Sequence, residues 1–219
     1  MLLDKATFPR EKVCGDAFSG KSIGIARELG LLPRLSKLPH GIVRGLTMIS
    51  PNNKRVNVPF PPAQGMEFAG YTIERREVDY LFFQTAAAHG KITALQGFMV
   101  NGLEKKASGA VCGVSGSKTS DVKDGKQTLR YYGKVVVGAD GSASSINRLV
   151  GMPNPPMAHI YSAVRGYWSG VTGMSDSIEL YFIDGVLPGY LWIFPMADGR
   201  VNVGLGILSS DLKNRKHPY

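Results

Sequence analysis

One run limits the architecture more than any other: Val135-Val136-Val137-Gly138-Ala139-Asp140-Gly141-Ser142. Three consecutive β-branched residues read as a strand buried on both faces, the pattern of a parallel sheet covered by helices. The Gly/Asp turn behind it lets the backbone approach a ligand closely. A short helix, Ser144 to Val150, starts from that turn. A carboxylate at the end of such a strand can accept hydrogen bonds from ribose hydroxyls. Ser142 and the helix N-terminus can offer N–H groups to a phosphate. A plain strand–turn–helix corner gives the same pattern, so the run alone leaves both readings open.

Met1-Leu2-Leu3-Asp4 reads as the end of another buried strand closing on a carboxylate. Ser19 is placed to cap a helix that Gly30 stops, with Ile23, Ile25, Ala26 and Leu29 as its apolar face. Residues 41–60 predict a hairpin turning at Pro51-Asn52-Asn53-Lys54, and Tyr71–Glu74 a short strand. Glu77 to His89 predicts a helix with Val78, Leu81, Phe82 and Thr85 inward. Short strands follow over 91–95, 98–103, 110–114 and 128–132, with a polar loop from Ser115 to Gln127. After Gly151 the texture changes. Strands over 160–168, 177–183, 189–194 and 200–207 are joined by Gly/Asp turns with no helix between them, which predicts an antiparallel sheet. The expected fold class is therefore α/β (α+β overall). Residues 1–40 and 71–150 form a partial Rossmann-like part, and residues 41–70 and 151–219 an antiparallel part.

Charge narrows the partners. The formal charge is +9, and residues 1–60 alone hold ten Lys/Arg against four Asp/Glu. Such an excess suits a phosphate, a nucleic acid or a membrane surface. Zinc-finger spacing, an RNA-recognition signature and a basic stripe with interleaved aromatics are all missing, so nucleic acid is not expected. The apolar runs are only a few residues long, too short for a span, and Met1 to Arg10 does not read as a secretory signal. Two cysteines, Cys14 and Cys112, fit a reducing, cytoplasmic setting. His40, His89, His159 and His217 are scattered without metal-ligand spacing, so no metal is expected. Ser19-Gly20-Lys21-Ser22 ends like a phosphate-binding loop but lacks the upstream glycine and strand. Tyr190, Trp192 and Phe194 alternate along one strand and share a face, as either core packing or an aromatic wall.

Four segments together resemble one family. They are Phe8-Pro9-Arg10-Glu11-Lys12-Val13-Cys14-Gly15-Asp16-Ala17, Glu74-Arg75-Arg76-Glu77-Val78-Asp79, Gly138 to Ser142 with Ser145 and Arg148, and Gly189-Tyr190-Leu191-Trp192-Ile193-Phe194-Pro195 followed by Asn202-Val203-Gly204-Leu205-Gly206. In this order they resemble the geranylgeranyl reductases, FAD-dependent oxidoreductases with the fold of p-hydroxybenzoate hydroxylase. The resemblance implies an FAD-binding domain (1–40 and 71–150) and an antiparallel substrate domain (41–70 and 151–219). Family members open with a strand and a GxGxxG turn, and later carry a Gly-Asp motif. This chain is expected to start after the first and stop before the second.

The resemblance also implies roles. Asp4 holds the adenosine ribose, Arg10 and Lys12 lie near the FAD phosphates, and Arg75 is near the cofactor. Val100 lines the adenine pocket through its backbone. Asp140 and Gly141 meet the pyrophosphate or ribose. Cys14, Gly15 and Asp16 approach the isoalloxazine, with Cys14 a candidate proton donor. Tyr190 and Trp192 join Cys14 as catalytic candidates, and Tyr190, Trp192, Phe194 and Pro195 form a wall for the substrate. The implied reaction saturates prenyl C=C bonds of an isoprenoid diphosphate or prenyl lipid, with NAD(P)H or another reductant as electron donor and peripheral membrane contact. Two other readings stay open: a flavin monooxygenase or halogenase of the same fold, and a non-catalytic remnant.

Overall fold

The computed structural model describes residues 1–122 and 127–214. In chain order the elements are β1 (Leu2–Leu3), β2 (Ala17–Ser19), α1 (Lys21–Glu28), α2 (Leu32–Leu35), β3 (Gly41–Val43), β4 (Gly45–Ile49), β5 (Arg55–Pro59), β6 (Gly70–Thr72) and α3 (Arg75–Ala87). They continue with β7 (Ala94–Leu95), β8 (Phe98–Lys105), β9 (Val111–Lys118), β10 (Leu129–Tyr132), α4 (Ser145–Leu149), β11 (Tyr161–Trp168), β12 (Ser177–Tyr181), β13 (Tyr190–Pro195), β14 (Val201–Leu208) and α5 (Ser209–Asn214). Packing divides them into two units, Met1–Arg10 with Phe82–Pro155, and Glu11–Leu81 with Pro156–Tyr219. Residues 11–40 and 71–81, expected with the α/β part, thus pack with the antiparallel part.

In the first unit β1 pairs in parallel with β7, Leu2 opposite Ala94. β8, β9 and β10 form an antiparallel meander around the buried Phe98. β9 runs on through Ser115 and Ser117, where a loop was expected. Gly and Ser are weak strand formers, but partners on both sides outweigh propensity here. The rest of that expected loop, 123–126, lies outside the described residues, as do residues 215–219 of the basic tail. The reading of Val135–Val137 as a buried parallel strand is overturned. Val135 and Val137 are 76% and 82% exposed, and the segment belongs to no sheet among the described residues. The segment joins no ladder among the described strands, and its outer valines are left open to solvent.

The second unit holds a six-stranded sheet in the order β11-β14-β13-β12-β4-β5, built from the segments read as antiparallel in sequence. One pairing, β12 with β4, is parallel, because these strands come from segments more than a hundred residues apart with no tight turn to fix their direction. A second sheet, β2-β6-β3, carries α1 and the start of α3. The α1 cap is not Ser19, which ends β2. It is Gly20, whose combination of φ 54° and ψ −122° only glycine adopts without strain. Ile23 and Ala26 are buried as expected, whereas Ile25 and Leu29 are more than half exposed. Gly30 ends the helix with φ 67°. No helix among the described residues is long and apolar enough to cross a membrane.

Candidate functional site

In the second unit the Cys14-Gly15-Asp16 loop rests on one face of the large sheet. A Cβ at Gly15 would lie 2.6 Å from Cε2 of Phe194, so a side chain there would force that ring to move. Asp16 follows at φ 66°, a conformation that Asp tolerates better than most residues. Its side chain is buried, at 1% exposure. Oδ1 accepts the Arg75 backbone N–H at 3.2 Å, at the N-terminus of α3, where a carboxylate is favoured. Oδ2 accepts the Tyr167 hydroxyl at 2.5 Å and the Asn202 amide at 2.7 Å. Burial pushes the Asp16 carboxyl above its ordinary range; the bonds from Tyr167, Asn202 and Arg75, and the Arg165 charge, draw it back. Burial and the Asp16 carboxylate push Tyr167 up as well, so it remains a donor.

Charges surround this core. Arg75 grips Asp79 through Nε and Nη2 at 2.9 and 3.0 Å and points Nη1 at the Cys14 sulfur, 3.7 Å away. Cys14 is half-buried and unoxidised. Arg165 stacks 4.1 Å from the Tyr167 ring and donates Nη2 to the Lys12 carbonyl at 2.9 Å. The Lys12 side chain itself is exposed.

The aromatic stripe shares a face, with centroids 6.4 Å apart for Tyr190 and Trp192 and 6.5 Å for Trp192 and Phe194. Only Tyr190 is open. Trp192 and Phe194 are 8% and 9% exposed, so in this chain they are packed core. Trp192 donates its indole N–H to Asn202 at 2.9 Å, and Phe194 underlies Gly15. The Pro195 carbonyl accepts the Thr72 hydroxyl.

The first unit carries the other expected residues. Asp4 ends β1 and its carboxylate accepts the Ala6 N–H at 2.8 Å. Arg10 lies 5.0 Å over the Phe8 ring. Val100 is half-buried in β8, beside a register shift. Asp140 accepts the Ser144 hydroxyl at 2.5 Å and the Ser145 and Ile146 N–H groups at 2.6 and 3.2 Å. What burial it has would raise its carboxyl, but these bonds hold it below the ordinary range. Gly141 has φ 84° with open space at its Cβ position. The Ser145 and Ile146 amides expected to serve a phosphate are therefore engaged by Asp140 itself.

Sequence reasoning did not assign roles to Tyr167, Arg165 or Asn202. The available signal was Asn202 between Val201 and Val203. An amide in the interior of an apolar strand is disfavoured unless it finds partners.

The profile of the geranylgeranyl reductase catalytic domain matches residues 160–219, which include Tyr167, Trp192, Phe194 and Asn202. A menaquinone reductase of Mycobacterium tuberculosis is 33% identical across 96% of this chain and 49% of its own length. Digeranylgeranylglycerophospholipid reductase 2 of Methanosphaera stadtmanae is 29% identical across all of this chain and 52% of its own length. The chain thus spans about half the length of these curated relatives. A geranylgeranyl bacteriochlorophyll reductase-like protein from Thermoplasma acidophilum shares the fold, with TM-score 0.78 and 24% identity over 97% of this chain and 52% of that one.

Proposed function

The chain belongs to the geranylgeranyl reductase family, and from that premise we propose that it is part of an FAD-dependent oxidoreductase that saturates C=C bonds in the prenyl chain of a lipid, quinone or diphosphate. The observation that carries this reading is the polar cluster under Cys14. Tyr167 and Asn202, on strands inside the region the family profile matches, hold the Cys14-Gly15-Asp16 loop in a fixed place.

The donor set suits FAD in kind. Lys12 is an exposed cation on the second unit, a group that suits a dinucleotide phosphate. The flavin, once reduced, supplies the hydride, and such chemistry belongs to the cofactor. The chain supplies the rest. Cys14 is the group to deliver a proton to the second alkene carbon. Arg75 holds the thiol from one side, and its own position is fixed by Asp79. Tyr190, the open end of the aromatic stripe, offers apolar surface to a long hydrocarbon. NAD(P)H or another reductant would supply the electrons, and a lipid substrate would bring the protein to a membrane surface.

The test is to purify the gene product, release its flavin, and incubate the reduced enzyme without oxygen with menaquinone or a geranylgeranyl lipid. The expected product gains one H2 per bond by mass spectrometry. Oxygen consumption with a hydroxylated or halogenated product would establish the monooxygenase or halogenase reading instead. A colourless protein with no flavin would leave a binding module.

A further inference from the structure

Asn202, the second residue of β14, is fully buried, and both N–H groups of its side-chain amide are used. Nδ2 donates to the Cys14 carbonyl and to Asp16 Oδ2, both at 2.7 Å, and Oδ1 accepts the Trp192 indole N–H at 2.9 Å. The sheet register creates this junction. Asn202 lies directly opposite Tyr167 on β11 and Phe194 on β13. Tyr167 reaches the same Asp16 oxygen at 2.5 Å, and Phe194 lies beneath Gly15. Trp192 pairs with Gly204. A Cβ at Gly204 would strike its ring, so the indole reaches Asn202 only because that position is glycine.

An amide in a strand core pays a desolvation penalty that valine would avoid. Here both of its N–H bonds go to the loop that carries Cys14, and none to the sheet. Arg165, two residues before Tyr167 and so on the same face, ties the loop again at the Lys12 carbonyl.

We propose that Asn202 and Tyr167 are positioning residues that fix the Cys14-Gly15 loop, and with it the place of the Cys14 thiol during the reaction. The inference rests on the reading of Cys14 as the proton donor. A group displaced by an ångström from its productive position loses about a hundredfold in rate, so the effect should be visible in both chemistry and thiol reactivity.

The experiment measures iodoacetamide alkylation of the Cys14 peptide by mass spectrometry in the intact protein, beside prenyl turnover and thermal melting. Tyr167→Phe removes only a hydroxyl. Asn202→Asp keeps the shape but removes both donors. Each is expected to change the Cys14 alkylation rate about tenfold and to lower kcat with KM unchanged. Thr47→Val, which loses a part-buried hydrogen bond to Asn57 elsewhere on the same sheet, is expected to lower the melting temperature without altering either reading. Unchanged alkylation and kcat in folded Tyr167→Phe overturn the proposal, and this variant decides if Asn202→Asp does not fold. If alkylation shifts as expected but the wild-type protein reduces no prenyl substrate, the clamp stands and the reductase reading falls.

Discussion

Asp140 and Asp16 are both aspartates in turns beside glycine, yet they are satisfied in opposite ways. Asp140 draws its partners from residues four to six positions ahead. Asp16 draws its side-chain partners from residues 59, 151 and 186 positions away. The first is open to solvent and its carboxyl is held low; the second is buried and its carboxyl is pushed up. A local motif can build a turn by itself, whereas a buried site exists only when distant strands close over it.

The comparison breaks most readily at Asp16. Asp16→Ala strands two buried side-chain donors, each at about 1–3 kcal/mol, so urea denaturation should register a loss of about 3 kcal/mol or more. A loss no larger than that of Asp140→Ala would refute the contrast. Trp192→Phe comes next. It leaves the Asn202 carbonyl oxygen without its donor and opens space beside Gly204, for an expected loss of about 2 kcal/mol in the same assay. Asp140→Ala should lose only about 1 kcal/mol, the value of a helix cap. Its signature should be faster amide exchange at Ser145 and Ile146 with little change elsewhere.

The finest test is the pH dependence, where the two signs oppose. Asp16 in the folded protein holds its proton above the ordinary value of 3.8. Between 3.8 and that raised value the unfolded chain has already released the proton, so the Asp16 contribution is fully present below 3.8 and declines as pH rises through the window. For Asp140 the folded value lies below 3.8, so its contribution is present above 3.8 and is lost as pH falls through the depressed value. Urea stabilities of wild type, Asp16→Asn and Asp140→Asn between about pH 3 and pH 6 should give difference curves of opposite slope. Parallel curves would show that the two carboxylates share one environment.

Much of the fold is legible because it rests on short-range chemistry. The hairpin turn at Pro51-Asn52-Asn53-Lys54 and the strands after Gly151 show alternation and turn residues that need no partner to be recognised. The motif order that marks the family is equally a property of the chain. Val135–Val137 misled for the same reason. β-branched residues state a preference for extension, but burial is conferred by neighbours, and here the valines at 135 and 137 are left exposed.

The site divides along the same line. Cys14, Gly15, Asp16 and Arg75 are legible because they lie in two of the segments that resemble the family. Tyr167 sits among ordinary strand residues, and Asn202, though inside a motif that resembles the family, carries no sign of what its amide will meet. Nothing within ten positions of Asn202 reveals that its amide will meet a loop 186 residues earlier. The sequence by itself determined the hairpin, the antiparallel layer and the motif order that marks the family. The tertiary structure alone decided which carboxylate is buried, which aromatic rings are covered, and what holds Cys14. Propensity and turn chemistry act over a few residues, while burial and hydrogen-bond satisfaction are properties of the packed chain.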